Sequence, residues 1–166
     1  MTHQISRLMM KLFSMILILL TITATIDAQT KLKGRAIKII DGDTFDLLVD
    51  KTTYQIRLAD IDCPEKGQDF YKVSKQALSD YLYGSYIEVI YNKKDRNGRI
   101  LGSVYNGPVY INLIMVEEGY AWHFKKYSSD QRFAKAEINA RKAQRGLWKQ
   151  PKPIAPWDFR QIRRKN

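Results

Sequence analysis

The sequence predicts an α+β protein that consists mainly of a β barrel. Short segments that alternate apolar and polar residues indicate five strands. A stretch with helical periodicity lies between the third and fourth of them, and two more helices follow the fifth. Five strands interrupted by a helix after the third are typical of the five-stranded barrel of the OB type, here with about three packed helices. A chain of 166 residues is the size of one domain.

The first three strands come in quick succession. KLKGRAIKII, at residues 31–40, has β-strand character and is followed by the turn signal DGDT. FDLLVD and YQIRLAD both alternate apolar and polar positions. They predict a hairpin whose turn lies at Asp50–Thr52.

The later elements are separated by glycines. A helix ending near Gly84 is predicted from the spacing of Phe70, Val73, Ala77 and Tyr81, with Leu78 and Leu82 beside them. SYIEVIY and ILGSVY are strands of a second hairpin, which turns at Asn97-Gly98. A short helix fits NLIMVEE and ends at Gly119. A longer one runs from about Ser129 towards Gly146, with one face formed by Phe133, Ala136, Ala140 and Ala143.

The two ends of the chain are predicted to lie outside the barrel domain. Residues 1–28 combine basic positions, fifteen uncharged residues and a small residue, Ala28, which is the pattern of a secretory signal peptide. The alternative is a retained membrane anchor, for which the run is short. We expect a domain at residues 29–150 and a basic, proline-containing tail at 151–166, which either packs through Trp157 and Phe159 or frays.

The charge and the cysteine content of the chain limit the classes of function that it can have. The chain has 28 Lys+Arg against 17 Asp+Glu, a net charge of +11, and keeps +10 without residues 1–28. This excess favours a polyanionic partner, either nucleic acid or an anionic envelope or polysaccharide. The only cysteine, Cys63, cannot form an internal disulfide, so we expect either a free, sheltered thiol or an intermolecular link. A cysteine hydrolase is disfavoured because His123 is the only histidine after the leader, and it has no visible partner.

Three carboxylates are predicted to meet at one end of the barrel. The hairpin geometry places Asp43 at the same end as Asp62, and Glu65 lies one short turn further on, beyond Pro64. Acids brought together repel one another unless a cation lies among them, and oxygen ligands suit Ca²⁺ or Mg²⁺ better than zinc. Each acid taken alone is more simply explained as a solvated residue at a strand end.

Two arginines extend this pattern. Arg57 is on the polar side of the second hairpin strand, and Arg99 follows the Asn-Gly turn directly. A guanidinium binds phosphate oxygens through two parallel hydrogen bonds and remains charged. Phosphodiester hydrolysis requires charge stabilisation, a positioned water and a group that accepts its proton. A cation, two arginines and one glutamate would provide these.

IDGDTFDLLVD, RLADIDCPE and DRNGRILGSVY, in this order, resemble the successive motifs of the staphylococcal nuclease (thermonuclease) family, over about residues 32–150. The resemblance implies an OB barrel and a Ca²⁺-dependent nuclease that cuts DNA and RNA with little sequence preference and leaves 3′-phosphate ends. By the same resemblance, Asp43, Asp62 and the Cys63 backbone carbonyl bind calcium, and Asp41 lies near the ion. Arg57 and Arg99 bind phosphate, and Glu65 orients or deprotonates the attacking water.

The nucleotide-binding positions depart from the family pattern. Arg96 and Asn97 stand where a lysine and a tyrosine precede the Gly-Arg pair of the best-studied member. Tyr127 matches one of two tyrosines that flank the nucleotide, and Lys125 falls at the other. Arg96, Lys125 and Tyr127 are therefore the candidate substrate-binding residues.

The leading hypothesis is thus a secreted or periplasmic, calcium-dependent endonuclease, with DNA and RNA as substrates. We expect a monomer with no stable membrane partner once the signal is removed. The alternative is a non-catalytic OB module that binds nucleic acid by charge and by tyrosines such as Tyr86, Tyr91, Tyr105 and Tyr110. The complete acid and arginine set favours the enzyme. An envelope protein held by its basic surface would explain the charge but not the three motifs.

Overall fold

The computed structural model describes residues 29–165, and its centre is a closed five-stranded barrel. In the sheet order β3-β2-β1-β5-β6, all neighbouring strands are antiparallel. A parallel pairing of β3 with β6 closes the barrel. The predicted fold class is confirmed. The strands are β1 (Thr30–Ile39), β2 (Thr44–Val49), β3 (Thr52–Leu58), β5 (Tyr86–Lys94) and β6 (Ile100–Asn106), and β4 (Ile61–Asp62) is a short strand outside the barrel.

Within residues 29–165, four α-helices pack around the barrel, one more than the sequence predicts. They are α1 (Tyr71–Leu82), α2 (Ile111–Glu117), α3 (Gln131–Lys142) and α4 (Pro156–Lys165). The short strands β7 (Val109–Tyr110) and β8 (Trp122–His123) and a 3-10 turn at Gly146–Lys149 complete the chain. The predicted signal peptide, residues 1–28, lies outside the described residues. Between residues 29 and 165, no helix is long and apolar enough to cross a membrane.

The additional helix, α4, lies in the tail. It begins at Pro156, whose fixed backbone angle suits the first helical position, and Asp158 lies in its first turn. Three basic residues occupy the last turn, where they favour the negative end of the helix dipole. The Trp157 ring stacks on Phe124 with 5.5 Å between ring centroids. Of the two alternatives for the tail, packing through Trp157 is therefore correct.

The predicted hairpins are present, with turns that differ from each other. Asp50 and Lys51 connect β2 to β3, and Asp50 takes a positive φ of 52°. The β5–β6 turn is longer than a two-residue hairpin, because the pairing ends at Asp95, whose N–H donates to the Arg99 carbonyl at 2.8 Å. Gly98 has a φ of 81°, which explains the glycine at this position.

The predicted inner face of α1 is wrong in part. Val73 is 46% exposed, and Phe70 lies before the helix rather than on it. The buried residues are Ser74, Ala77, Leu78 and Leu82. Ser74 faces inward because its hydroxyl donates to the Tyr120 carbonyl at 2.7 Å. A pattern of apolar residues alone could not detect a core position that is filled by a serine.

The core fills the barrel and the space beneath the helices. Phe45, Leu47, Ile56, Val89 and Val104 are fully buried. The tyrosines proposed as a stacking surface do not form one continuous surface. Tyr105 and Tyr110 stack on each other at 4.8 Å, and Tyr91 packs against the core, whereas Tyr86 is 67% exposed.

Candidate active site

The first hairpin brings two distant aspartates to one guanidinium. Thr44 pairs with Arg57 in the register of β2 with β3, and the Asp43 carbonyl accepts from the Leu58 N–H at 2.8 Å. The neighbours of Arg57 on β3 point into the barrel, so its side chain points outward. Arg57 contacts Asp43 Oδ1 at 2.6 Å and Asp62 Oδ1 at 2.8 Å. The structure therefore places Asp43 and Asp62 together, as the hairpin geometry predicts.

Gly42 allows the two acidic motifs to approach closely. A Cβ at this position would lie 2.8 Å from the Cβ of Cys63 and 2.9 Å from that of Ser74. Two hydrogen bonds join the segments: the Cys63 N–H donates to Asp43 Oδ2 at 2.9 Å, and its thiol donates to the Gly42 carbonyl at 3.2 Å. Thr44 also donates to Asp43 Oδ1, at 3.0 Å. The glycine of DGDT is thus required by packing.

Cys63 is a buried, neutral thiol, as the sequence predicts. Its side chain is free of disulfide bonds, and the residue is 4% exposed. Burial, and after it the charge of Asp43, raises the pKa of the thiol well above its ordinary value. A thiol of this kind is a poor nucleophile, because the thiolate is the reactive form. Any direct role of Cys63 in binding a cation would come from its backbone carbonyl.

Arg57 is held charged by its two acidic neighbours. Burial alone would lower its pKa, but Asp43 and then Asp62 raise it above the ordinary arginine value. Its Nη1 lies 2.6 Å from Asp43 Oδ1, and its Nη2 donates to Asp62 Oδ1 at 2.8 Å, so one guanidinium binds both carboxylates. A guanidinium that stays charged beside these acids is suited to bind a phosphate oxygen.

Asp41 and Asp62 are crowded acids, and burial together with the charge of Asp43 disfavours their charged forms. Burial, and after it the neighbouring charge of Asp43, raises the pKa of Asp41 to about 7. Burial also raises the pKa of Asp62, against the lowering effect of a hydrogen bond from Arg160. Asp41 Oδ1 accepts from the Asp43 N–H at 3.0 Å, so it braces the loop.

Glu65 lies at the open edge of this group and has a partner that the sequence analysis missed. Its side chain is 34% exposed, whereas that of Asp62 is 2% exposed. Arg160, on α4, contacts Glu65 Oε1 and also binds Asp62 Oδ2 at 2.7 Å. The proline at the start of α4 and the charge order along it are signals that could have identified the helix. Nothing in its sequence indicated which arginine points at the site.

Arg99 lies on the same outer face as Arg57 but pairs with a different acid. Leu101 pairs with Arg57 where β3 meets β6, and Arg99 is two residues before it. Arg99 therefore lies just before β6, offset from Arg57 by roughly 7 Å along the strand direction. Arg99 binds Asp95 Oδ2 through Nε at 2.8 Å and Nη2 at 2.7 Å. Arg96, one residue before Asn97 in this turn, is exposed.

Lys125 and Tyr127 lie in the turn that follows β8. Strand β8 pairs with β4, which carries Asp62, and the Phe124 N–H donates to the Asp60 carbonyl at 2.8 Å. The Tyr127 ring is 68% exposed, and Lys125 reaches Glu137 at 3.4 Å. Both residues therefore lie in the turn that directly follows the strand pair holding Asp62.

His123 has no catalytic partner among the described residues. The residue is 2% exposed, neither ring nitrogen has a hydrogen-bond partner there, and the ring stacks on Phe133 at 5.8 Å. Burial lowers its pKa. The interpretation of His123 as a structural residue agrees with this environment.

The donor chemistry at the site suits a hard cation. Asp43 and Asp62 are buried carboxylates that share one guanidinium, so their oxygens face a common point. Within residues 29–165, however, no three Asp, Glu, His or Cys side chains are arranged as a metal site. The oxygens that would bind an ion are instead engaged by arginines and by a backbone N–H. Two carboxylates and a carbonyl fit a weak site, of the kind that extracellular calcium modules have.

The barrel and this group of acids and arginines define an OB-type domain with a polar site at one end of a hairpin. The family described as staphylococcal nuclease homologue matches residues 55–150. The chain is 38% identical to a micrococcal nuclease of Shigella flexneri over 147 residues, 82% of this chain and 84% of that protein. It is 39% identical to an uncharacterized endonuclease of Haemophilus influenzae over 150 residues, 90% of this chain and 83% of that protein. The chain belongs to the staphylococcal nuclease family.

The family match leaves out two groups of site residues. It begins at residue 55, after the DGDT motif and Asp43, and it ends at residue 150, before α4 and Arg160. The structure nevertheless joins both to the matched region through direct contacts with Asp62 or Arg57.

Proposed function

We propose that this protein is a secreted, Ca²⁺-dependent nuclease that hydrolyses phosphodiester bonds of DNA and RNA with little sequence preference and leaves 3′-phosphate ends. The family and the names of the relatives support nuclease activity. The net charge of +11 supports a polyanionic substrate.

One observation supports the proposal most directly. Arg57 is buried between Asp43 and Asp62, and Arg160 links Asp62 to Glu65, whose side chain is 34% exposed. Buried carboxylates held by a guanidinium, next to a more open carboxylate, are suited to a cation, a phosphate oxygen and a water. A domain that only binds nucleic acid would need neither a buried donor nor the glutamate.

In the proposed mechanism, Arg57 and Arg99 bind the scissile phosphate from one face of β3 and β6. Both donate to oxygens whose negative charge increases as the water attacks, so their hydrogen bonds strengthen in the transition state. Glu65 accepts a hydrogen bond from the attacking water, directs it in line with the 5′-oxygen and takes up its proton as the water oxygen bonds to phosphorus. The bond between phosphorus and the 5′-oxygen breaks, and the leaving oxygen takes a proton from solvent. Arg96, Lys125 and Tyr127 bind the flanking nucleotides through charge and stacking.

The calcium ion would be held by Asp43, Asp62 and the Cys63 carbonyl, with Asp41 close by. When bound, it would supply a positive charge that polarises a phosphate oxygen. Asp43 is positioned for this role by Thr44 and the Cys63 N–H, and Asp62 by Arg57. These contacts hold the carboxylates in place before a ligand arrives.

The proposal includes the organisation and location of the chain. Residues 1–28 would direct export as a signal peptide, which places the mature protein in the periplasm or outside the cell. Residues 29–150 would form the nuclease domain, followed by the tail 151–166. We propose a monomer that acts on nucleic acid and keeps no membrane partner after cleavage of the signal.

The test is digestion of single-stranded DNA and of RNA by the purified protein, with millimolar Ca²⁺ or with a calcium chelator. We expect cleavage only with Ca²⁺, and about 10²–10⁴-fold less of it in Glu65→Gln. Glu118→Gln is the matched control, because Glu118 is a half-exposed glutamate at the end of α2 whose ion-pair contact is at 3.9 Å. Binding without cleavage at every metal condition would refute the proposal and favour the OB binding module.

A further inference from the structure

The C-terminal helix α4 and the residues just before it pack against the segment that carries Glu65. Gln68 accepts from the Glu65 N–H at 3.0 Å and donates its side-chain amide to the Ile154 carbonyl, just before the helix. On the other side, Trp157 lies 5.6 Å from Trp122 and 5.5 Å from Phe124, measured between ring centroids. Trp122 pairs with Asp62 across β4 and β8. Aromatic packing and a bridging amide therefore set the position of α4 relative to both acids.

From this helix, Arg160 reaches both acids at once. Nη2 binds Asp62 Oδ2 at 2.7 Å, and Nη1 lies 3.3 Å from Asp62 Oδ1 while it also contacts Glu65 Oε1. The guanidinium of Arg160 thus contacts Asp62 through both terminal nitrogens, and one of these nitrogens also contacts an oxygen of Glu65. No described residue donates a hydrogen bond to the other oxygen, Oε2, of this half-exposed side chain.

Asp62 needs a second cation for its charge. The residue is 1% exposed, and Arg57 divides its charge between Asp62 and Asp43. A buried carboxylate is stable in the charged form only if it is paired and hydrogen-bonded. Arg160 provides this second cation, because both of its terminal nitrogens reach the carboxylate of Asp62. Because the same planar group also touches Glu65, it sets the distance between the two acids.

We propose that Arg160 is a positioning residue of the active site. It fixes Glu65 through Oε1, so that Oε2 is left for the water that Glu65 directs, and its contacts with Asp62 hold the guanidinium in place. This inference rests on the proposed nuclease function and extends the site beyond residues 55–150, the part that the family match covers. Lysine is not an adequate substitute, because a single ammonium cannot form both contacts in one plane.

The test compares Arg160→Gln, Arg160→Lys and Arg160→Ala with the unmodified protein in steady-state cleavage of single-stranded DNA. Arg164→Gln is the matched control, since Arg164 is an exposed arginine in the next turn of the same helix. We expect kcat to fall about 10–100-fold in Arg160→Gln, with KM changed less than threefold, as is typical for a group that orients active-site ligands. Arg160→Lys should be intermediate, and Arg164→Gln should match the unmodified protein.

Two further readouts separate positioning from simple undocking of α4. Added guanidinium should restore kcat of Arg160→Ala at least threefold, since a small planar cation can fill the space between Asp62 and Glu65 without refastening the helix. Calcium binding by calorimetry should be unchanged or tighter in Arg160→Gln, because the substitution removes a positive charge beside the ligand Asp62.

Each of these measurements has an outcome that would overturn the proposed role of Arg160. Arg160→Gln with kcat within threefold of the unmodified protein would overturn the inference, and so would a loss that neither lysine nor guanidinium reduces. Calcium binding weakened more than tenfold would also overturn it, because Arg160 would then shape the ion site and not Glu65. An unmodified protein that cuts no nucleic acid with Ca²⁺ would instead refute the proposed function itself, and with it this inference.

Discussion

Replacing Gly42 with alanine tests whether close packing of two loops positions the acids. The new methyl group would lie 2.8 Å from the Cβ of Cys63 and 2.9 Å from the Cβ of Ser74, and both of these residues are buried. The Cys63 loop must therefore move away from β2, and α1 with it. Inserting a methyl group into a packed core typically destabilises a protein by about 1–3 kcal/mol. For a domain of this size, that loss lowers the melting temperature by roughly 2–12 °C.

The same displacement should also reduce activity. Asp43 and Asp62 belong to the two segments that the methyl group would separate, and misplacement by about 1 Å can reduce the rate about 10²-fold. Gly107→Ala is the control: it introduces a methyl group at a φ of 56° with no atom within 4 Å. We expect it to destabilise by about 1–2 kcal/mol without loss of activity. A Gly42→Ala protein with unchanged melting temperature and normal cleavage would refute the packing argument.

Three further predictions concern charge. The pKa of Asp41 is raised from 3.8 to about 7 in the folded protein without calcium, so the folded state binds a proton at Asp41 more tightly than the unfolded chain does. The free energy of unfolding, measured with urea, should therefore fall as pH rises from 4 to 7. Asp41→Asn should reduce this dependence of stability on pH. A variant whose stability changes as steeply with pH as that of the unmodified protein would contradict the assignment to Asp41. Glu137→Ala should lower the free energy of unfolding by about 2–3 kcal/mol, because this buried carboxylate binds Arg141 at 2.7 Å. A loss of less than about 0.5 kcal/mol would contradict this prediction. Arg99→Lys should reduce kcat about 10²-fold while the midpoint of thermal unfolding stays nearly constant. Full activity of this variant would exclude a role for the Arg99 guanidinium in phosphate binding.

The parts of the structure that depend on local patterns could be predicted from the sequence. Alternating residues in FDLLVD and YQIRLAD define both the strands and their register, and the register alone brings Asp43 near Asp62. Gly84 and Gly119 mark helix ends because each takes a positive φ, which glycine adopts without strain.

The parts that depend on contacts between distant segments could not be predicted. Arg160 reaches Asp62 across 98 positions of sequence, and no periodicity records such a contact. Ser74 is buried on the inner face of α1 only because Gly42 and Tyr120 lie against it. Both cases concern polar residues whose partners are set by how helices pack on the barrel, which a pattern of apolar residues does not describe.

The central claim is that Glu65 directs a water onto a phosphate held by this site, in a reaction that requires calcium. The most direct measurement is single-turnover cleavage of a short labelled DNA strand at saturating Ca²⁺, by the unmodified protein and by Glu65→Gln, with analysis of the product ends. The account predicts 3′-phosphate ends and a cleavage rate about 10²–10⁴-fold lower in the variant, with DNA affinity unchanged. Equal rates in the two proteins would contradict it, as would cleavage that continues after calcium is removed.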